Sequence, residues 1–357
     1  METDRPLVLG AAYHGNRMPH HAYEDMRDMM RNGMDLVVHM LSHTDWDRHL
    51  KKMKEIVDIS TEVGLESWID NWGLGGPPGD KSHFLAYHPE AHQYYSNGEM
   101  DPVRACLNSE AFRGWMHEWI DAVEFIGGRT IFWDEPHLPL KRNKDKTYTN
   151  FYACACPRCR ELFRAKYGYD MPEEINDDVR AFRLDTIRDY FADVTAYSAG
   201  KGMKNAVCVM PGENGQYGIG ISTLDSICAV PTLDNIGSDP YWLDYPLETI
   251  GSPYEFVYTR TKQTIGIADH YRKDHNIWIQ TYSTPRGREE EIVEAAAAAY
   301  DAGARTIIAW GYYGSESNNY AAKNPEKTWT ATCAAFRRVR EMERDRVLAE
   351  RRARVKD

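Results

Sequence analysis

Several absences narrow the reading before any motif is considered. No stretch of 18 apolar residues occurs in the 357-residue chain, and mean hydropathy is −0.62, which excludes an apolar membrane-spanning helix. A basic excess is missing as well: 43 Lys and Arg stand against 54 Asp and Glu, a net charge of −11. That field repels phosphate backbones and anionic lipid surfaces, so neither nucleic acid nor a membrane is expected as a partner. Internal repeats, low-complexity tracts and interdomain linkers are lacking. The opening Met1–Pro6 has no apolar core of a secretion signal, so a cytoplasmic location is expected. Seven cysteines are few and odd in number, and in a reducing compartment structural disulfides are not expected.

What is abundant is aromatic surface: 10 Trp, 22 Tyr and 10 Phe. A core does not require ten tryptophans, so some are expected to line a ligand surface. Short apolar, β-rich runs alternate with amphipathic ones. The strand-like runs are Leu7–Tyr13, Leu36–Met40, Glu66–Ile69, Thr130–Trp133, Ala206–Met210, Asn235–Gly237, Ile277–Gln280 and Thr306–Trp310. The helix-like ones include Trp46–Val63, Glu110–Phe125, Val179–Gly200, Pro253–Lys273 and Arg288–Ala302. Continuous apolar strands separated by helices indicate parallel pairing, and eight such units indicate an α/β fold of the (β/α)8 TIM-barrel type. One barrel is expected over residues 1–340, with a charged helix or tail over 341–357. Two connections, 71–109 and 136–165, are too long for plain barrel loops. They follow strands three and four and leave from the C-terminal ends, where barrels of this class place active sites.

The residues just beyond each strand carry the candidate chemistry. Strand one leads into His14, and strand two is flanked by His39 and His43. Strand three delivers Asp70 and Trp72; strand four delivers Asp134, Glu135 and His137. Glu213 follows strand five, and Asp239, Tyr241 and Trp242 follow strand six. Gln280 ends strand seven and Trp310 strand eight. Carboxylates beside flat rings suit a sugar: acids for proton transfer and hydroxyl contacts, rings for the apolar C–H faces. Each residue also has a plainer role. Tryptophans can cap a barrel core, Asp134 can cap the segment that follows it, and single histidines are commonly structural. The Trp-Asp-Glu-Pro-His run is the stronger signal, because one strand delivers two acids to the productive face.

Three of the seven cysteines fall at Cys154-Ala155-Cys156-Pro157-Arg158-Cys159. Such spacing favours thiolates converging on one ion, and tetrahedral Zn²⁺ takes four ligands. Cys106, Cys208, Cys228 and His137 are the candidates for the fourth; three reduced thiols at a helix start are the plainer alternative. A metal would pin the two long connections together and order them rather than perform chemistry.

These segments carry a family resemblance. Asp101–Arg113 (DPVRACLNSEAFR) and Phe151–Tyr167 (FYACACPRCRELFRAKY) resemble the two zinc-ligand segments of family 42 of the glycoside hydrolases, retaining β-galactosidases with (β/α)8 barrels. The resemblance covers roughly Asn71 to Tyr167 and implies a structural zinc held by Cys106, Cys154, Cys156 and Cys159, with no organic cofactor. Leu107 and Glu110 stand where the family has prolines. The resemblance also places the acid/base at Glu135, with Asp134 replacing the family's Asn, and it puts Gln280 where the nucleophilic Glu of strand seven stands. An amide cannot replace a carboxylate nucleophile.

The leading expectation is therefore a glycoside hydrolase that cleaves a short oligosaccharide or glycoside by carboxylate acid/base catalysis. Glu135 is the proton donor, helped by the like charge of Asp134, which acts to raise its pKa. Asp239 is the base or nucleophile, with Glu213 and Asp70 next in line; alternatively Asp134 is the nucleophile and Asp239 the acid/base. A wide carboxyl separation would make the enzyme inverting. Asp70, Trp72, His137, Glu213, Tyr241, Trp242, Gln280 and Trp310 would bind the carbohydrate substrate. Two other readings stay open: a metal-dependent sugar isomerase, epimerase or lyase using His14, His39 and His43, and a catalytically silent sugar-binding barrel. A homo-oligomer is compatible with all three.

Overall fold

A computed structural model describes residues 5–14, 16–74, 82–134, 138–145, 147–209 and 224–354. Eight strands form a closed parallel barrel: β1 (Val8–Tyr13), β2 (Leu36–Met40), β3 (Glu66–Asp70), β4 (Thr130–Asp134), β5 (Lys204–Cys208), β6 (Asn235–Ser238), β7 (Asp274–Gln280) and β8 (Thr306–Trp310). Their hydrogen-bonded order is β1-β8-β7-β6-β5-β4-β3-β2. All eight expected strands are present, each displaced by no more than a few residues. The fold is a (β/α)8 TIM barrel. No helix among the described residues is long and apolar enough to cross a membrane.

The chain divides into two compact units, Met1–Met40 with Lys52–Trp68 and Ile236–Asp357, and Leu41–Lys51 with Ile69–Asn235. In the first, β1 runs beside β2 and β8, and β7 pairs with β8 in register Gln280 to Trp310. Its helices are α1 (Pro19–Arg31), the greater part of α2 (His43–Val63), α6 (Pro253–His270), α7 (Glu291–Asp301) and α8 (Pro325–Arg354). Helix α8 begins well before the charged stretch expected at the C-terminus. Its first half buries Thr332, Ala335, Phe336 and Val339, while residues 341–353 stay at least partly exposed.

The second unit contains β4 and β5, paired from Thr130 with Lys204 to Asp134 with Cys208, and the helices α3 (Glu110–Ile126), α4 (Pro157–Tyr167) and α5 (Asp177–Gly200). Helix α3 shows why these segments are helical. The Ser109 hydroxyl caps its start by accepting from the Phe112 N–H, and Gly127 ends it at φ 90°; Phe112, Met116, Trp119, Ile120 and Val123 then fall on one buried face. The long connections are not structureless. The first holds an antiparallel hairpin, His92–Tyr94 with Met100–Ala105, and the second holds Leu140–Arg142 with Tyr148–Tyr152, followed by α4.

Close strand packing depends on Gly10 in β1. A Cβ there would lie 2.6 Å from the main-chain oxygen of Leu36 and 2.8 Å from its Cβ, and backbone cannot move aside cheaply. Gly10→Ala is therefore expected to lower stability by about 1–3 kcal/mol, the usual cost of overpacking, read as a reduced urea midpoint. An unchanged midpoint would contradict this packing.

Candidate active site and metal centre

The four cysteines converge within the second unit. The Sγ atoms of Cys106, Cys154, Cys156 and Cys159 all lie within 4.8 Å of one another, and all four residues are buried. Cys106 and Cys159 are 3.5 Å apart, and Cys156 and Cys106 3.6 Å. Four thiolates at about 2.3 Å from one tetrahedral ion would be spaced by about 3.8 Å. The cluster is too open for disulfides, and the cysteines are free. It could hold a metal ion. Among the described residues it is the one group of three or more His, Cys, Asp or Glu with that property.

Local structure presents each ligand. Cys106 leaves the first hairpin with its N–H bonded to Ala91 O at 2.7 Å. Cys156 caps α4, its sulfur accepting from the Cys159 N–H, and Pro157 occupies the first turn. Asn108 donates to the Cys159 sulfur at 3.4 Å and to Thr186 Oγ1 at 3.1 Å. Main-chain bonds from Ala155 to Tyr94 O (2.7 Å) and from Ser96 to Tyr152 O (2.8 Å) tie the two excursions together. Arg160 adds bonds to Ala155 O (2.9 Å) and Ser96 O (3.0 Å). Burial pushes the Cys154 thiol up, while hydrogen bonds from its three neighbours pull Cys156 down. The pocket thus tolerates a first thiolate and resists further ones until a cation balances them.

The same unit carries two carboxylates at neighbouring strand ends. Ile69 faces Gly128 beside α3, and the indole of Trp133 reaches Asn205 Oδ1 at 2.9 Å, which in turn accepts from Ser198 of α5. Side chains alternate along a strand, so Asp70 and Asp134 turn to the opposite, interior face. Asn71 links the strands: its Oδ1 accepts from the Asp134 N–H at 2.9 Å. Asp70 is 0% exposed. Burial, and next the charge of Asp134, raise its pKa well above the ordinary 3.8, with the Trp72 main-chain N–H a smaller opposing influence. Its protonated form is thereby favoured beside a second carboxyl.

In the first unit, the residues expected at the rim divide into half-buried and buried ones. Asp239, Tyr241 and Trp310 are half-buried. Trp310 packs edge-on against His14 at 5.0 Å and Trp278 at 5.3 Å. Trp242 has no exposed surface and donates its indole N–H to Glu291 at 2.7 Å, so its ring belongs to the core. Gln280 is also buried: its Oε1 accepts from the Leu243 N–H at 2.9 Å and its amide reaches Asp244 at 3.4 Å. Tyr282 donates to the other Asp244 oxygen at 3.4 Å. Asp244, which the motifs did not single out, is thereby brought to the end of β7. No strand register points to it; the Gln280 amide does.

Among the described residues, His14, His39 and His43 are not part of a group that could hold a metal ion. His39 is buried, bonds Ser60 of α2 at 2.9 Å and is held neutral, its pKa lowered to about 3 by burial. His14 faces Trp310, and its pKa is lowered to about 4 by burial. In the other unit His43 accepts from the His83 N–H at 3.0 Å, beside the rings of Trp46 and Trp115. Glu135, His137 and Glu213 lie outside the described residues.

A closed parallel barrel of eight strands defines the TIM-barrel fold class, which by itself fixes no activity. Solved structures that it resembles include glycoside hydrolases. The catalytic domain of β-amylase from Paenibacillus polymyxa matches with a TM-score of 0.65 at 9% identity, covering 92% of this chain and 98% of that one. GH5_18 from Bifidobacterium longum subsp. longum matches at 0.62 and 11%, covering 95% and 79%. The endo-1,4-β-D-mannanase of Thermotoga petrophila matches at 0.58 and 11%, covering 93% and 99%. The chain shares their barrel fold. No protein-family model and no curated protein matches the sequence.

The Asp70 environment makes a signed prediction. At about pH 3 and below, Asp70 is largely protonated both folded and unfolded. Above that, the unfolded chain ionises first and stability is lost as pH rises toward the raised folded value. Asp70→Asn mimics the neutral acid, so it should raise the urea midpoint at pH 7–8 and leave it nearly unchanged at about pH 3. A difference that does not vary with pH would remove this account.

Proposed function

We propose that the protein is a glycoside hydrolase acting on a short oligosaccharide or glycoside. The observation that carries the reading is the pair of inward carboxyls, Asp70 and Asp134, at adjacent strand ends, with Glu135 next in the chain. Hydrolysis of a glycosidic bond needs one group that gives a proton to the leaving oxygen and a second carboxylate that attacks the anomeric carbon or activates water. Glu135 is the donor. The like charge of Asp134 acts to keep it protonated, and the neutral Asp70 offers a hydrogen bond to a sugar hydroxyl. The second carboxylate comes from the segment after β6: Asp239 first, and Asp244 as the alternative that the Gln280 and Tyr282 contacts support. Gln280 cannot attack carbon as a carboxylate does and serves as a positioning residue. Trp72, Tyr241 and Trp310 offer ring faces to the sugar, and His137 and Glu213 polar contacts.

The cysteine cluster is proposed to be a zinc site. All-thiolate donors at tetrahedral spacing suit Zn²⁺ and leave no open position for substrate, so the ion would order the two hairpins. Reduced thiolates also fit a cytoplasmic setting.

On a panel of aryl glycosides, Glu135→Gln and Asp239→Asn should each reduce kcat by about 10²–10⁴, the range for loss of a general acid or base. Undiminished turnover in both variants would sink the assignment. Full loss in Glu135→Gln and Asp244→Asn, with Asp239→Asn active, would move the second role to Asp244. Elemental analysis should find one zinc per chain, lost with a lowered Tm in Cys159→Ser. Finding iron, or no metal, in protein purified under reducing conditions would overturn the zinc assignment.

A further inference from the structure

A cavity of about 380 Å³ opens within the first unit, where β1 ends and the segment after β8 begins. That lies within the range of about 300–1,000 Å³ of small-ligand sites. Tyr13, His14, Asp25, Tyr312, Tyr313 and Glu316 line it. Asp25 comes from α1, and the polar contacts converge on it. One carboxylate oxygen accepts from the Tyr13 hydroxyl at 2.6 Å and the Asn16 amide at 3.2 Å; the other accepts from the Tyr312 hydroxyl at 3.2 Å. Behind it, Asp28 accepts from the Trp329 indole at 2.8 Å, Asn32 at 3.1 Å and Tyr312 at 3.4 Å.

Every one of these donors is neutral. Among the described residues, no lysine or arginine lines the cavity. Burial together with the Asp25 charge pushes the Tyr13 and Tyr312 hydroxyls far up, so they remain protonated donors. His14 is uncharged at neutral pH because burial lowers its pKa to about 4. Among the described residues, the cavity wall therefore carries acidic side chains and no basic one, a field that favours a cation.

The walls also suit a cation. The Tyr13 and Tyr312 rings lie 5.7 Å apart and Tyr312 and Tyr313 5.9 Å, and electron-rich ring faces attract ammonium groups. Tyr313 is held there at some cost. It adopts φ 50°, followed by Gly314 at 61° and Ser315 at 58°, a left-handed run unfavourable for a bulky residue. The run is clamped: Ala322 donates to Gly314 O at 2.8 Å, and a Cβ at Gly314 would touch Ala322 Cβ at 3.0 Å.

We propose that this cavity binds an ammonium group carried on a small polyhydroxylated ligand, an amino sugar in the simplest case. The carbohydrate part rests on the glycoside hydrolase reading; the ammonium part rests on the cavity alone. The test titrates the full chain with methyl glucosaminide, methyl glucoside, glucuronate and propylammonium at pH 7, using calorimetry or ligand-observed NMR, so no turnover is needed. The aminoglycoside should bind at least about tenfold more tightly than the neutral glycoside, as added cation–π and carboxylate contacts require. Glucuronate should not bind. The advantage should shrink in Asp25→Asn and in Glu316→Gln, the latter on the exposed rim where the fold does not depend on it. Equal binding of amino and neutral glycosides, or an advantage intact in both variants, would overturn the site. Propylammonium binding as tightly as the aminoglycoside would overturn the carbohydrate part. Hydrolysis of neutral aryl glycosides by the wild-type chain is scored separately, so failure here and failure of the hydrolase reading remain distinct.

Discussion

Strands covered on both faces leave no water for a polar side chain, and that constraint arranges most of what this chain does. Inside β2 and β7 buried polar groups have partners: His39 takes Ser60, and Asn276 takes the Trp278 indole. Polar residues with no such partner are driven to the strand ends, where hydration resumes. Asp70 sits at that boundary. It is fully buried and another acid lies nearby, so burial first and that charge next favour its neutral form.

The cysteine cluster answers a different cost. Two long excursions lose chain entropy when they order, and each two-stranded hairpin is marginal alone. Main-chain bonds between the hairpins and the Arg160 fork contribute part of the compensation. The buried thiols would contribute more if ionised around a cation, because four neutral thiols at this spacing have little mutual attraction; folding of this region and metal binding would then be one equilibrium.

The barrel was legible because its signal is repeated and local: eight apolar runs, each long enough to recognise, with glycines at turns such as Gly64 and Gly303, both at positive φ. The cysteine cluster was legible because three ligands share one short run. The rest depends on contacts that no spacing encodes. Trp242 follows a strand just as Trp310 does, yet its indole finds Glu291 and is buried. Asp244 is an ordinary loop acid until Gln280 and Tyr282 are seen to hold it. Asp25 lies mid-helix on α1, where an acid reads as solvated surface, and only the tyrosines reaching it from two other segments reveal it.

These late-appearing acids bear on the aromatic excess. Among the strand-end tryptophans, Trp133, Trp242 and Trp278 are buried, each with its N–H committed to a hydrogen bond, so ring count alone overstates the ligand surface. Tyrosines behave otherwise. Tyr13 and Tyr312 direct their hydroxyls to Asp25 and leave their rings along a cavity wall. A hydroxyl anchored on a carboxylate fixes the ring plane without filling the space in front of it, which an indole packed into the core cannot do. The carboxylate that anchors the rings also sets the sign of the field they face. One acid therefore supplies both the shape and the charge preference of the cavity, and neither can be altered without the other.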